Sequence, residues 1–249
     1  MFDLTGRVAL VTGAGRGVGR GIVSTLGGQG AAVAVNDLEA DRAADAVAEL
    51  RAAGITATVA AFDVGDHEAV RQGVASVADS LGSVDVLVNN AGIPPAMTLQ
   101  PFRETTPEDW AAYFDVNTRG VMHCCHAVLD GMRRARWGRI ITISSGAATI
   151  GSRFGTSVYG ASKGGAVAFA RNLAQEEARQ GITVNTVALG MMDTVGSDDA
   201  RLAAAARSLP AGRLGRPADA GALCVYLASD EAGWMTGQTV QLNGGAPTT

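Results

Sequence analysis

Short, nearly uninterrupted apolar runs alternate along the chain with longer stretches of helical period. Arg7 to Thr12, Ala32 to Asn36, Thr58 to Phe62, Val84 to Val88, Gly138 to Ser144, Ile182 to Val187 and Thr239 to Leu242 read as seven strands. Between them the spacing predicts helices over about 17–29, 39–53, 66–81, 107–136, 159–180 and 217–229, with the 107–136 stretch in one piece or two. Gly54 supplies the stop for the second helix. Strands that are apolar throughout, rather than alternating, belong to a parallel sheet covered by helices on both faces. The regular strand–helix alternation therefore predicts a doubly wound α/β fold. No linker, repeat or low-complexity tract interrupts it, so residues 1–249 are expected to form a single domain. Ligands of such sheets bind beyond the carboxyl ends of the strands, and the candidate chemistry is judged against that position.

Composition narrows the function classes. Of the 249 residues, 47% are hydrophobic and 18% charged, which is ordinary for a globular chain. A net charge of −4 argues against a nucleic-acid surface. No apolar run approaches the roughly 18 residues that a membrane helix needs. The start, Met1 to Arg7, runs directly into a strand without a secretion signal. The three cysteines, Cys124, Cys125 and Cys224, are odd in number and two are adjacent, so neither a disulfide framework nor a zinc site is expected. These features fit a cytoplasmic protein with no metal, membrane or nucleic-acid partner.

The first strand runs into Thr12-Gly13-Ala14-Gly15-Arg16-Gly17-Val18-Gly19. Read from Gly13, the common G-x-G-x-x-G fingerprint fails at Val18; the spacing that fits is G-x-x-x-G-x-G over Gly13, Gly17 and Gly19. Glycines let the backbone approach a pyrophosphate, and the helix that follows offers free N–H groups and a positive dipole end. Arg16 and Val18 belong to the same turn. Asp37 ends the second strand, where a carboxylate accepts hydrogen bonds from ribose hydroxyls and repels a 2′-phosphate. That favours NAD. Arg16 pulls towards NADP, and Asp37 is given the greater weight. Asp37 can also cap the helix after it.

Tyr159 and Lys163, in Tyr159-Gly160-Ala161-Ser162-Lys163, are four residues apart and share one helix face. An ammonium beside a phenol favours the phenolate and draws the tyrosine pKa down from about 10. Ser144 and Ser145 end the fifth strand shortly before.

As a set, these residues resemble the compact form of the short-chain dehydrogenase/reductase family, over essentially the whole chain. The resemblance rests on the glycine turn, Asp63-Val64, Asn89-Asn90-Ala91-Gly92, Asn117, Ser145, Tyr159-x-x-x-Lys163, and the tail from Gly237-Gln238 to Gly244-Gly245. It implies a Rossmann fold and an oxidoreductase that interconverts a secondary alcohol and a ketone. In that reading Tyr159 is the general acid/base. Lys163 lowers its pKa and holds the nicotinamide ribose, Ser145 bonds the substrate oxygen, and Asn117 holds a water linking Lys163 to solvent. Asp63 and Val64 would contact the adenine, while Asn90, Ala91 and Gly92 would line the cofactor floor. A dinucleotide sensor without turnover would not need Asn117, Ser145, Tyr159 and Lys163 together.

Two departures stand out. Leu189-Gly190 replaces the family's usual Pro-Gly, which frees φ and adds an N–H, although Thr194 still falls where the family binds the nicotinamide carboxamide. The segment from Ser145 to Tyr159 looks one residue longer than is common, so Ser144 and Gly146 compete with Ser145 for the catalytic position; Ser145 is preferred. The substrate pocket is expected from Ile93 to Phe102, Gly146 to Val158 and Met191 to about Pro210, with Pro94, Phe154 and Met191 against the substrate. That inventory is apolar, with Arg153 as its cation. An NAD-linked dehydrogenase is the main reading, and a 3-oxoacyl-carrier-protein-type NADPH reductase the alternative. Arg133, Arg134, Arg136 and Arg139 form a basic stretch that an acidic carrier protein could use. Likeness to the family's long helices and last strand implies a homotetramer.

Overall fold

The computed structural model describes residues 1–92, 100–151, 155–194 and 200–245. The strands β1 (Val8–Val11), β2 (Ala32–Asp37), β3 (Ala57–Ala61), β4 (Val86–Asn89), β5 (Gly138–Ser145), β6 (Ile182–Leu189) and β7 (Thr239–Leu242) form one parallel sheet in the order β3-β2-β1-β4-β5-β6-β7. The order reverses between β1 and β4, which are neighbours on either side of the chain's first crossover back. In sheets of this kind the ligand crevice lies at that switch point.

Three layers result. Helices α1 (Gly17–Gly28), α2 (Ala40–Ala52) and α8 (Pro217–Ala228) cover one face, and α3 (His67–Leu81), α5 (Gly120–Ala135) and α6 (Ser157–Glu177) cover the other. β1 shows why the strands are apolar throughout. Ala9 and Val11 join the first core, Val8 and Leu10 the second, and all four are buried. Each such valine or leucine contributes about 1.5–3 kcal/mol through burial. Among the described residues, no helix is long and apolar enough to cross a membrane.

Several boundaries differ from the sequence expectation. The 107–136 stretch is α4 (Pro107–Phe114), a π-helical turn over Asp115–Arg119, and then α5. β6 runs on to Leu189, which pairs with Ser145 on one side and Leu242 on the other. Leu189 is buried in the core, and the added N–H expected there falls within the sheet ladder rather than in a freed loop. α7 (Ala200–Ser208), rich in the strong helix former alanine, falls within the Met191-to-Pro210 segment expected to line the pocket. Cys124, Cys125 and Cys224 are free and buried in the two cores.

Candidate active site

The glycine turn is fixed from two sides. From β2, the Asn36 carbonyl accepts from the Ala14 N–H at 2.6 Å, and Asn36 Oδ1 accepts from the Gly13 N–H at 3.2 Å. Asn36 Nδ2 anchors itself by donating to the carbonyls of Ala60 and Phe62. From β4, Thr12 Oγ1 accepts the N–H groups of Asn90 (3.0 Å) and Ala91 (3.1 Å), while Asn90 Nδ2 donates to the carbonyls of Thr12 and Gly13. The glycines are required by close approach. Gly13 has φ +61°, and a Cβ on it would stand 2.9 Å from Ala91 Cα. A Cβ on Gly19 would stand 2.6 Å from Asn90 Nδ2. Val18 packs its side chain partly against the core.

This turn suits a dinucleotide pyrophosphate. Arg16 occupies the N-cap of α1 in extended conformation, no side chain caps the helix, and no acid lies in its first turn. The first N–H groups of α1 thus remain free for an anion. The Arg16 side chain is exposed. Thr194 lies over the turn, 3.6 Å from where a Gly17 Cβ would be. Its loop is pinned by a bridge in which Gly215 donates to the Met191 carbonyl and Asp193 to the Gly215 carbonyl. Gly190 donates to the Leu242 carbonyl, and a Cβ there would press on Asn243.

Asp37, at the end of β2, is 4% exposed and heavily engaged. It does not cap α2, whose N-cap is Glu39. Instead Oδ1 accepts from the Glu39 N–H and from Arg42, and Oδ2 accepts from the Gly15 N–H. At the end of β3, Asp63 is exposed and Oδ1 accepts from the Gly65 N–H. Val64 is buried in the core against α5, so its side chain packs inward.

The catalytic candidates meet at the carboxyl ends of β4 and β5. α6 presents Tyr159 and Lys163 one turn apart. Ser145, the last residue of β5, hydrogen-bonds the Tyr159 phenol. Ser144 points the other way along the strand and is 3% exposed, so the hydroxyl beside Tyr159 is that of Ser145. Lys163, the only lysine in the chain, is 5% exposed and donates from Nζ to the Ile143 carbonyl at 2.9 Å.

The electrostatics depart from the expectation for Tyr159. Burial pushes its phenol above the ordinary value, and the Ser145 hydrogen bond draws it only part of the way back. Burial also pulls the Lys163 ammonium down to about 8. Each shift penalises a charged form taken out of water. The expected lowering of the phenol by Lys163 is not realised here, because burial dominates and Nζ is turned to Ile143.

Asn117 lies in the π-helical turn, wholly buried. Such turns re-aim side chains within a helix and concentrate at functional sites. Its Nδ2 donates to Ser162 Oγ at 3.0 Å, and Thr118 Oγ1 donates to the Ser162 carbonyl at 2.7 Å. These bonds tie the turn to α6 between Tyr159 and Lys163. Gly92 closes the floor: a Cβ there would overlap Lys163 Nζ and stand 2.9 Å from Asn117 Oδ1.

The structure therefore gathers Asn117, Ser145, Tyr159, Lys163, Gly92 and the glycine turn into one crevice. Met191, just past the end of β6, is 48% exposed. Pro94 and Phe154, with Ile93, Pro95, Met97 and Arg153, lie outside the described residues. Asn36, Arg42 and Ser162 carried no role in the sequence reading, and Thr12 entered only as the start of the glycine motif. Asn36 had a signal, as a polar residue ending an apolar strand. Of the basic stretch, Arg139 is buried and bonds the Ser229 carbonyl, whereas Arg133, Arg134 and Arg136 are exposed around the end of α5, with Arg133 paired to buried Glu177 and Arg136 donating to Gln180. Arg139 also lies near the start of β5, about 20 Å from Ser145 along the strand.

A family model described as short chain dehydrogenase matches residues 7–204. The 3-oxoacyl-[acyl-carrier-protein] reductase of Vibrio harveyi is 38% identical over 248 residues, covering 98% of each chain. The acetoacetyl-CoA reductase of Shinella zoogloeoides is 40% identical over 247 residues, covering 96% of this chain and 98% of that one. Among solved structures, a gluconate 5-dehydrogenase from Burkholderia cenocepacia in complex with NADP and tartrate superposes with a TM-score of 0.90 at 34% identity, covering 98% of this chain and 96% of that one. A 3-oxoacyl-[acyl-carrier protein] reductase from Brucella melitensis with bound NAD gives 0.90 at 33% identity, covering 100% and 94%.

Proposed function

The chain belongs to the short chain dehydrogenase family of oxidoreductases, and from that premise we propose that Tyr159 exchanges the proton while a ketone and a secondary alcohol interconvert in the crevice above β4 and β5. The observation that carries the proposal is the alignment of Ser145, Tyr159 and Lys163 beside a glycine turn and an uncapped helix start. The bound nicotinamide would supply or accept the hydride.

The chain's residues do the rest. In the reductive direction, Tyr159 donates its proton to the carbonyl oxygen. A phenol held above its ordinary pKa is protonated at neutral pH and ready for this. Ser145 hydrogen-bonds the same oxygen and steadies the charge that develops there. Lys163 would hold the nicotinamide ribose. Asn117, tied to α6, keeps Lys163 linked to solvent. Gly13, Arg16, Gly17, Val18 and Gly19 form the pyrophosphate turn, Asn90, Ala91 and Gly92 the floor, Asp63 and Val64 the adenine side, and Gly190 and Thr194 the nicotinamide loop. Asp37 faces the adenosine ribose and favours NAD over NADP. Met191 is the described residue we assign to contact with the substrate.

An NAD-linked dehydrogenase of a secondary alcohol is our first reading, supported by the Asp37 carboxylate. A 3-oxoacyl thioester reductase is the second, supported by the identities of 38–40% to reductases of that class. Arg139, buried at the start of β5, does not help it, while Arg133, Arg134 and Arg136 stay exposed at the end of α5. The assay follows reduced-nicotinamide absorbance with acetoacetyl thioesters, plain ketones and secondary alcohols. Fastest turnover on alcohols with NAD supports the first reading, and on thioesters with NADPH the second. Cofactor binding without turnover on any of them would leave the sensor reading. We also propose a homotetramer, a reading supported by fully exposed Trp234 and by exposed Phe114 and Met122.

A further inference from the structure

Arg42 has no part in the reading above, yet it sits where the adenosine ribose would meet the protein. Its Nη2 and Nε donate to Asp37 Oδ1 at 2.6 and 3.1 Å. The Glu39 N–H also reaches Oδ1, at 3.1 Å, and the Gly15 N–H reaches Oδ2 at 3.2 Å. A carboxylate has about four acceptor positions in all. Those on Oδ1 are filled, and Oδ2 retains one. Asp37 can therefore serve one ribose hydroxyl as it stands, and a second only if Arg42 lets go.

Arg42 also belongs to the turn by contact. A Cβ on Gly15 would lie 2.9 Å from Arg42 Cβ and 2.7 Å from Asp37 Oδ2, so the turn rests on both side chains. The Arg42 side chain is 40% exposed whereas that of Asp37 is 5% exposed. The cation, not the carboxylate, is thus the more accessible member of the pair. Its Nη1 makes no bond among the described residues. A 2′-phosphate arriving here would meet a neutral pair with its positive end outward, rather than a bare carboxylate. The nearby Arg20 is occupied with Glu49 and the Gly15 carbonyl. Arg16 is the other exposed cation of the turn.

We infer that Arg42 is a specificity-determining residue, which by holding Asp37 relaxes the exclusion of a 2′-phosphate and lets the enzyme accept both nicotinamide dinucleotides. The inference rests on the proposed dinucleotide site and deepens it. The experiment titrates the full-length protein with NADH and with NADPH, following nicotinamide fluorescence. Wild type should prefer NADH by no more than about tenfold, since the carboxylate is already compensated. Arg42→Gln, which removes the charge, should weaken NADPH by roughly tenfold or more, the worth of one charge-assisted hydrogen bond. NADH should change by less than about threefold in the same variant. Arg42→Lys should retain most NADPH affinity. Asp37→Asn, a second and independent variant, should tighten NADPH by freeing Arg42. A NADPH-to-NADH ratio unmoved by both Arg42→Gln and Asp37→Asn overturns the inference, as does a shift produced by Arg16→Gln alone. Binding of neither cofactor by the wild type would instead refute the dinucleotide site itself, and the inference with it.

Discussion

Gly92→Ala is a one-methyl perturbation aimed at the centre of the site. The new Cβ would overlap Lys163 Nζ, lie 3.0 Å from Lys163 Cε and 2.9 Å from Asn117 Oδ1. Asn117 cannot yield, because its side chain is bonded to Ser162 and wholly buried. The lysine end is the part free to move, and it must retreat by about 1 Å to reach ordinary contact, breaking its bond to the Ile143 carbonyl. A displacement of that size in an aligned site costs on the order of 100-fold in rate, or about 2.7 kcal/mol of barrier. The assay compares kcat, KM and melting temperature for wild type, Gly92→Ala, Lys163→Met and the double variant. Gly92→Ala should lose roughly two orders of magnitude in kcat/KM with little change in melting temperature. The double variant should be no worse than Lys163→Met, since both changes act through one group. A single variant within about threefold of wild type, or losses that simply multiply, would refute this account of how Lys163 is held.

Other expectations follow from the same geometry. The buried Lys163 ammonium, at about 8 against 10.5 when free, destabilises the fold in full below about pH 8, and the penalty lifts as pH rises towards 10.5. Urea melts should show wild type gaining roughly 3 kcal/mol on Lys163→Met across that window; a gap that widens with pH would be the wrong sign. As the chain's only lysine, Lys163 also gives a single resonance in isotope-labelled protein, so its titration near 8 is directly readable. Asn36→Ala strands the carbonyls of Ala60 and Phe62 and the Gly13 N–H. It should cost about 2 kcal/mol or more of stability and weaken cofactor binding, whereas unchanged binding would show that the turn holds itself. Light scattering at micromolar protein should give a tetramer mass, and a monomer would remove the oligomer proposal.

The layered fold was legible because parallel strands buried on both faces leave a continuous apolar signature, and β1, β2 and β5 show it. Boundaries were less legible where pairing rather than composition sets them. β6 continues to Leu189 because Ser145 and Leu242 flank it, and neither neighbour is close in sequence. The π-helical turn at Asn117 is likewise a tertiary product, tied to α6 by Ser162 and Thr118. Tyr159, Lys163 and Ser145 could be nominated by spacing, but their protonation energetics could not. The upward shift on Tyr159 comes from burial, which spacing does not report. Arg42 shows the limit most clearly. Five residues after Asp37, it reads as a surface arginine on a helix, and only folding brings its guanidinium onto the carboxylate.

The most direct test of the central claim is single-turnover hydride transfer by Tyr159→Phe, measured beside its NADH affinity. Tyr159 as the proton donor requires NADH binding within about threefold of wild type and a transfer rate lower by roughly 10²–10⁴-fold. A variant that binds NADH and transfers hydride at most of the wild-type rate would contradict that role.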